Sequence, residues 1–134
     1  MFCFIGGVAL QRWGEPRETV DADLSLFVEF GHEEPYIQTL LSQFEARIPD
    51  AARFAKENRV LLLRSSKGVG LDVALAGLPY EALVIKRASD FEYPRQIVLR
   101  TSFGGRLGGT KVFCWTWPGL GRCRTHYRTA NWTA

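Results

Sequence analysis

Three features of the chain predict an α+β (α/β-like) fold, a small mixed β-sheet flanked by helices. Over the first hundred residues, segments of period-two apolar patterning alternate with segments of helical period, one glycine-closed hairpin interrupts them, and no repeat or low-complexity run is present. The 134 residues suffice for one hydrophobic core and are too few for two ordinary domains.

Phe2 to Ile5 is a β-rich apolar run that stops at Gly6-Gly7. Val8, Ala9, Leu10 and Trp13 then recur at helical spacing until Gly14-Glu15-Pro16. From Ala22 the chain alternates: Ala22, Leu24, Leu26, Val28 and Phe30 fall on one face, and Asp21, Asp23, Ser25, Phe27 and Glu29 on the other, which predicts a half-buried strand. Pro35 opens a helix, where its missing N–H is harmless, and Tyr36, Ile37, Leu40, Leu41 and Phe44 supply its apolar face up to Pro49. A second helical stretch covers about Asp50 to Asn58. Arg59–Arg64 and Leu71–Leu75, joined by Ser65-Ser-Lys-Gly-Val-Gly70, read as a hairpin; Pro79 to Arg87 is one more helix and Gln96 to Arg100 one more strand.

Composition excludes several classes. No run reaches the roughly 18 consecutive apolar residues of a membrane helix, and the start Met-Phe-Cys-Phe-Ile lacks the basic head of a secretory signal, so the expectation is a cytoplasmic protein that engages no membrane. Cys3, Cys114 and Cys123 make an odd count in a chain that can do without staples, and read as reduced thiols. The net charge of +3 is unevenly placed: residues 1–100 hold 12 Lys and Arg against 14 Asp and Glu, whereas 101–134 carry Arg106, Lys111, Arg122, Arg124 and Arg128 and no acid. That tail also holds three of the four tryptophans and neither structural period, so a boundary falls near Ser102, dividing residues 1–102 from 103–134.

The chemistry-bearing candidates lie in the first part. Asp21 and Asp23 are two apart on a strand, so both carboxylates project from the face opposite Leu24 and Leu26, suited to sharing a divalent cation, a pair of solvated acids at a strand end being the plainer reading of the motif alone. Asp72 sits between Leu71 and Val73, and an acid inside an apolar strand needs a metal or a base, Arg64 or Arg100 being the structural alternatives. Gly6 and Gly7 stand at a strand-to-helix junction, where side-chain-free backbone lets a phosphate approach the helix N–H groups; an ordinary tight turn is the plainer reading. Arg17 can offer its planar fork to a phosphate or pair with Glu15 or Glu18. Lys67 and Arg64 near the hairpin can contact phosphate or an acceptor, a solvated turn lysine being the plainer reading; His32 reads as a loop residue and Trp13 as a core anchor.

Gly6-Gly7, Asp21-x-Asp23 and a lone Asp72 on a later strand together resemble the polymerase-β-like nucleotidyltransferase superfamily. The run Gly6 to Arg17, Thr19, Asp21-Ala-Asp-Leu24, Arg59–Arg64 and Asp72-Val-Ala-Leu75 is similar to the toxin nucleotidyltransferases of abortive-infection (AbiE) systems, across about residues 3 to 100. The resemblance implies a nucleotidyltransferase-like fold and transfer of a nucleotidyl group from an NTP to an RNA (tRNA included) or protein acceptor, as the toxin of a toxin–antitoxin pair with an antitoxin protein as partner. It further implies two Mg²⁺ ions, held by Asp21, Asp23 and Asp72, with Gly6, Gly7 and Arg17 on the nucleotide.

The chain departs from that pattern at both ends. Family members begin with a helix ahead of the first strand and continue into helices beyond the last, so residues 1–102 read as an incomplete domain and 103–134 as foreign to it, a frameshift near codon 102 being one origin. The alternatives are an inactive remnant of such an enzyme, or an RNA-binding module using the basic, aromatic tail. Cys114, Cys123 and His126 match no standard zinc spacing.

Overall fold

The computed structural model describes residues 1–13, with Trp13 by its backbone alone, residues 18–102, and the backbone of 106–107 and 110–111. The chain separates into two units, Met1–Phe103 and Gly104–Ala134. In the second, the described residues form a two-stranded antiparallel ladder, Arg106–Leu107 with Thr110–Lys111. The first unit is a mixed α+β domain in the order β1 (Phe2–Ile5), α1 (Gly6–Trp13), β2 (Asp21–Phe27), α2 (Glu34–Gln43), β3 (Glu45–Ala46), α3 (Ala51–Asn58), β4 (Val60–Arg64), β5 (Gly70–Ala76), α4 (Pro79–Arg87), β6 (Ser89–Tyr93) and β7 (Ile97–Thr101). The expected fold class is therefore observed. Among the described residues, no helix is long and apolar enough to cross a membrane.

The seven strands form one sheet in the order β3-β4-β5-β2-β1-β7-β6. Two pairs are parallel, β2 with β5 and β1 with β7; the others are antiparallel. Leu24 and Leu26 of β2, Leu61 and Leu63 of β4, and Leu71, Val73 and Leu75 of β5 share one face and pack with Ile37 of α2 and Ala51 and Ala55 of α3. Burying each such leucine or isoleucine contributes on the order of 1.5–3 kcal/mol, which makes this cluster the main source of stability.

Register carries the same face across to β7, because Phe4 lies opposite both Leu24 and Thr101. Helix α1 covers that part: Tyr93 donates from its hydroxyl to the Val8 carbonyl at 2.8 Å, and Arg12 donates to Ser89 O and Thr101 Oγ1 at 2.9 and 3.2 Å. The opposite face holds α4, through Ile85 and Ala88 on Cys3 and Ala76, with Ser102 Oγ donating to Val84 O at 2.8 Å. Pro79 fills the first turn of α4, and the Glu81 carboxylate accepts from the N–H groups of Gly77 and Leu78 at 2.9 and 2.8 Å, satisfying donors the helix start leaves open. The β4–β5 hairpin closes as its residues demand, with Gly68 at φ +82° and Ser65 N–H to Val69 O at 2.8 Å.

Three elements differ from the expectation. β2 ends at Phe27, not Phe30, because the Val28 carbonyl is taken by the Arg59 guanidinium at 2.6 Å and Phe30 leaves the sheet to lie under that guanidinium, 4.0 Å from the ring centroid. The helix opened at Pro35 stops at Gln43 and is followed by the short edge strand β3. The last strand has a hairpin partner, β6, which the sequence reading left out.

Candidate functional site

The strand register assembles the three predicted aspartates. Asp23 of β2 lies directly opposite Asp72 of the parallel strand β5, and Asp21 lies opposite Gly70. Directly opposed residues share a face, and Asp21 and Asp23 share one by alternation, so all three stand on the face away from the main core. They sit where β2 and β5 begin, beside the end of β1, where Ile5 opposes Asp23. Helix α4 covers the same face nearer the other end of these strands, around Phe27 and Ala76, leaving the aspartate end half-exposed.

Glycines make room for the carboxylates. A Cβ on Gly6 would stand 2.0 Å from Asp23 Oδ2, and Gly6 adopts φ +58°, so the residue that turns the chain from β1 into α1 also accommodates the Asp23 carboxylate. A Cβ on Gly7 would meet Thr19 Cβ at 2.6 Å, and Thr19 itself donates to Asp21 O at 2.8 Å. Gly6 thus packs on Asp23 and Gly7 on Thr19, a close-packing reason for both glycines. Arg17 lies outside the described residues, as do Glu15, the side chain of Trp13, and Cys114, Cys123 and His126.

The base that answers Asp72 is Arg47, not Arg64 or Arg100. Arg100 instead lies 3.9 Å from Asp90. Arg47 follows β3; its N–H bonds Leu62 O at 3.0 Å, and Leu62 opposes Asp72. The two backbones are therefore two strand spacings apart, roughly 9.6 Å, and the Arg47 and Asp72 side chains together bridge that gap over Leu62. There Nη2 hydrogen-bonds Asp72 Oδ1 while Nη1 stands 3.9 Å from Asp21 Oδ2. Gly70 is the floor of this contact, since a Cβ there would be 2.3 Å from Asp21 Oδ1 and 3.0 Å from Arg47 Nη1. Burial pushes the Asp72 carboxyl above its usual range, the Arg47 charge opposes that, and the Asp21 charge adds to it.

A scan against protein-family models and a search of curated proteins both find no match for this chain.

As placed, no three His, Cys, Asp or Glu side chains among the described residues converge closely enough to hold a metal ion; a guanidinium stands between Asp21 and Asp72 instead. The donor set nevertheless fits a hard divalent cation: it is all oxygen, it lies on one face at a strand end, and the Asp21–Asp72 pair already accommodates positive charge. A cleft of about 450 Å³ lined by Phe27, Glu29, His32, Pro35 and Tyr36 opens at the far end of β2 and shares no lining residue with the aspartates. His32 is in the loop between β2 and α2, where the sequence reading put it.

Sequence reasoning missed Arg47, although a signal was present. Phe44, Ala46 and Ile48 alternate with Glu45 and Arg47, and all three apolar residues pack on the main core. That period of two marks a strand, and it places Arg47 on the same face as the aspartates.

Proposed function

We propose that the chain is a Mg²⁺-dependent nucleotidyltransferase that moves a nucleotidyl group from an NTP to an RNA or protein acceptor, as the toxin of a toxin–antitoxin system. The observation that supports this reading is the register of β2 and β5, which sets Asp72 beside Asp23 and on the face of Asp21, next to the Gly6-Gly7 start of α1. Asp21, Asp23 and Asp72 would hold two Mg²⁺ ions, which when bound would supply Lewis-acid stabilisation of the attacking and leaving oxygens. The chain's own contribution is positional. Asp72, beside Asp23 in the strand register, would accept the proton of an acceptor hydroxyl, and the backbone N–H groups that open α1 would face phosphate oxygens.

Thermal melting of the whole chain with Mg²⁺ and each NTP, beside the Asp21→Asn, Asp23→Asn double variant, tests the reading. A nucleotide at a hundredfold excess over Kd adds about 2.7 kcal/mol to the native state. A Mg²⁺-dependent rise in Tm with one NTP, absent in the double variant, supports the site; a cooperative melt that no NTP moves overturns it.

One observation favours a second reading, an inactive remnant. Arg47 pairs with Asp72 and stands near Asp21, so part of the acidic charge is balanced by the protein itself. Label transfer from α-³²P NTPs to cellular RNA or protein separates the two, since a remnant transfers nothing. Salt-sensitive RNA binding that survives Asp21→Asn and vanishes without residues 103–134 would instead indicate the RNA-binding module.

A further inference from the structure

We propose that Arg47 is a tethered counter-cation of the aspartate site, displaced from Asp21 and Asp72 when a metal–triphosphate arrives and then paired with that ligand's phosphate. The inference rests on the nucleotidyltransferase reading and adds to it a residue that couples metal binding to phosphate binding.

Position carries the first step. The guanidinium lies between two carboxylates of the proposed metal set, hydrogen-bonded to Asp72 and 3.9 Å from Asp21, over a glycine that leaves space for it. A divalent cation using Asp21 and Asp72 meets a positive charge already there, so the two compete. Bare metal then binds weakly, because the half-buried guanidinium that it displaces loses its carboxylate partner.

Chemistry carries the second step. The backbone of Arg47 is held beside β4 by its N–H bond to Leu62 O, so the side chain pivots from a point next to the aspartate site. Its Nε is buried without a hydrogen-bond partner, which leaves the guanidinium with unmet donor capacity in the present arrangement. A phosphate accepts two parallel N–H bonds from such a fork, so a ligand that brings metal and phosphate together offers the displaced side chain a replacement partner. Metal and triphosphate therefore raise one another's affinity through Arg47, and removing it weakens the coupling in both directions.

The test measures binding to the full-length chain. Free Mn²⁺ is titrated by electron paramagnetic resonance and preformed Mn²⁺–tripolyphosphate by calorimetry, for the parent, Arg47→Gln, Arg47→Lys and Asp21→Asn/Asp23→Asn proteins, each checked by circular dichroism melting. Arg47→Gln should bind Mn²⁺ roughly tenfold tighter than the parent and Mn²⁺–tripolyphosphate roughly tenfold weaker, a size typical of site-to-site coupling. Arg47→Lys, which keeps the charge but loses the fork, should shift both in the same directions by roughly threefold, and it serves as the test should Arg47→Gln not fold. If the parent binds Mn²⁺ through Asp21 and Asp23 while the Arg47 variants leave both affinities unchanged, the role of Arg47 is overturned and the nucleotidyltransferase reading stands. If no folded variant binds either probe, that reading fails and the inference falls with it.

Discussion

Arg47 and Asp72 are joined across an intervening strand: the guanidinium passes over Leu62 of β4 to hydrogen-bond the carboxylate on β5. Burial dominates the environment of Asp72 and raises its proton affinity in the fold. Its ionised form thus costs stability at neutral pH, a cost relieved as pH falls through the raised folded value. Asp72→Asn removes the penalised charge but also takes a carboxylate partner from Arg47, so it should cost less than Arg47→Ala, which strands a half-buried carboxylate and should cost about 1–3 kcal/mol. The double variant should recover most of that loss. Urea titrations of the four proteins measure it; a loss in Asp72→Asn as large as in Arg47→Ala would show the pair to be a net stabiliser.

Arg59 also ties several elements together. Its Nε donates to Leu75 O at 2.8 Å, Nη2 to Val28 O at 2.6 Å and Nη1 to Glu33, while its ring contact is with Phe30. Arg59→Ala leaves two strand-end carbonyls without this donor, and should cost about 3 kcal/mol. Arg59→Lys should recover less than half, because one ammonium cannot reproduce the fork. Tm and urea midpoints of the two variants check this.

Gly6 and Gly68 both have positive φ, at +58° and +82°, yet they differ in what surrounds them. Nothing lies within 4 Å of a Cβ at Gly68, so Gly68→Ala should cost only its backbone strain, about 1 kcal/mol. At Gly6 the added carbon meets Asp23 Oδ2, so Gly6→Ala should cost about 2–4 kcal/mol and displace that carboxylate. Equal losses at the two positions would mean that the Asp23 contact carries no weight.

Cys3 is fully buried, and that burial pushes its thiol from 9.0 to about 11, with Arg100 opposing. A thiol raised in this way favours the folded state below its unfolded value, and the contribution is lost as pH climbs from about 9 toward 11. The peptide containing Cys3 should resist iodoacetamide in the native protein at pH 8 and react on unfolding in urea, as mass spectrometry will read. Modification under native conditions would place Cys3 at the surface.

Much of this architecture was legible because the residues declare their periods. Leu24 and Leu26 against Asp23 and Ser25 announce a two-faced strand, and the same alternation put Asp21 and Asp23 on one side before any register was known. Pro35 and Pro79 marked helix starts that are observed. What escaped was either short or non-local. β3 has two residues, and the alternation of Phe44, Ala46 and Ile48 around it is short enough to be absorbed into the helical pattern that precedes it. The turn between β6 and β7 carries its positive φ angles on Arg95 and Gln96 rather than on glycine or asparagine, so it lacks the usual hairpin signal. The Arg47–Asp72 pair depends on strand order, which no local pattern encodes. Arg64 stood nearer Asp72 in sequence, but it opposes Gly70, whereas Arg47 falls in line with Leu62 and Asp72.

The parallel pairing of β2 with β5 also governs when this domain can come into being. Asp23 and Asp72 are separated by about 50 residues of chain that fold into α2, β3, α3 and β4, and β1 waits longer still, since its parallel neighbour β7 lies roughly a hundred residues downstream. On a translating ribosome β1 and β2 are synthesised before Arg47 and Asp72, so the strand carrying Asp21 and Asp23 precedes both of their neighbours in the site. Acidic face and balancing base are thus made at different times, and the sheet is completed only when its last strand reaches back to its first.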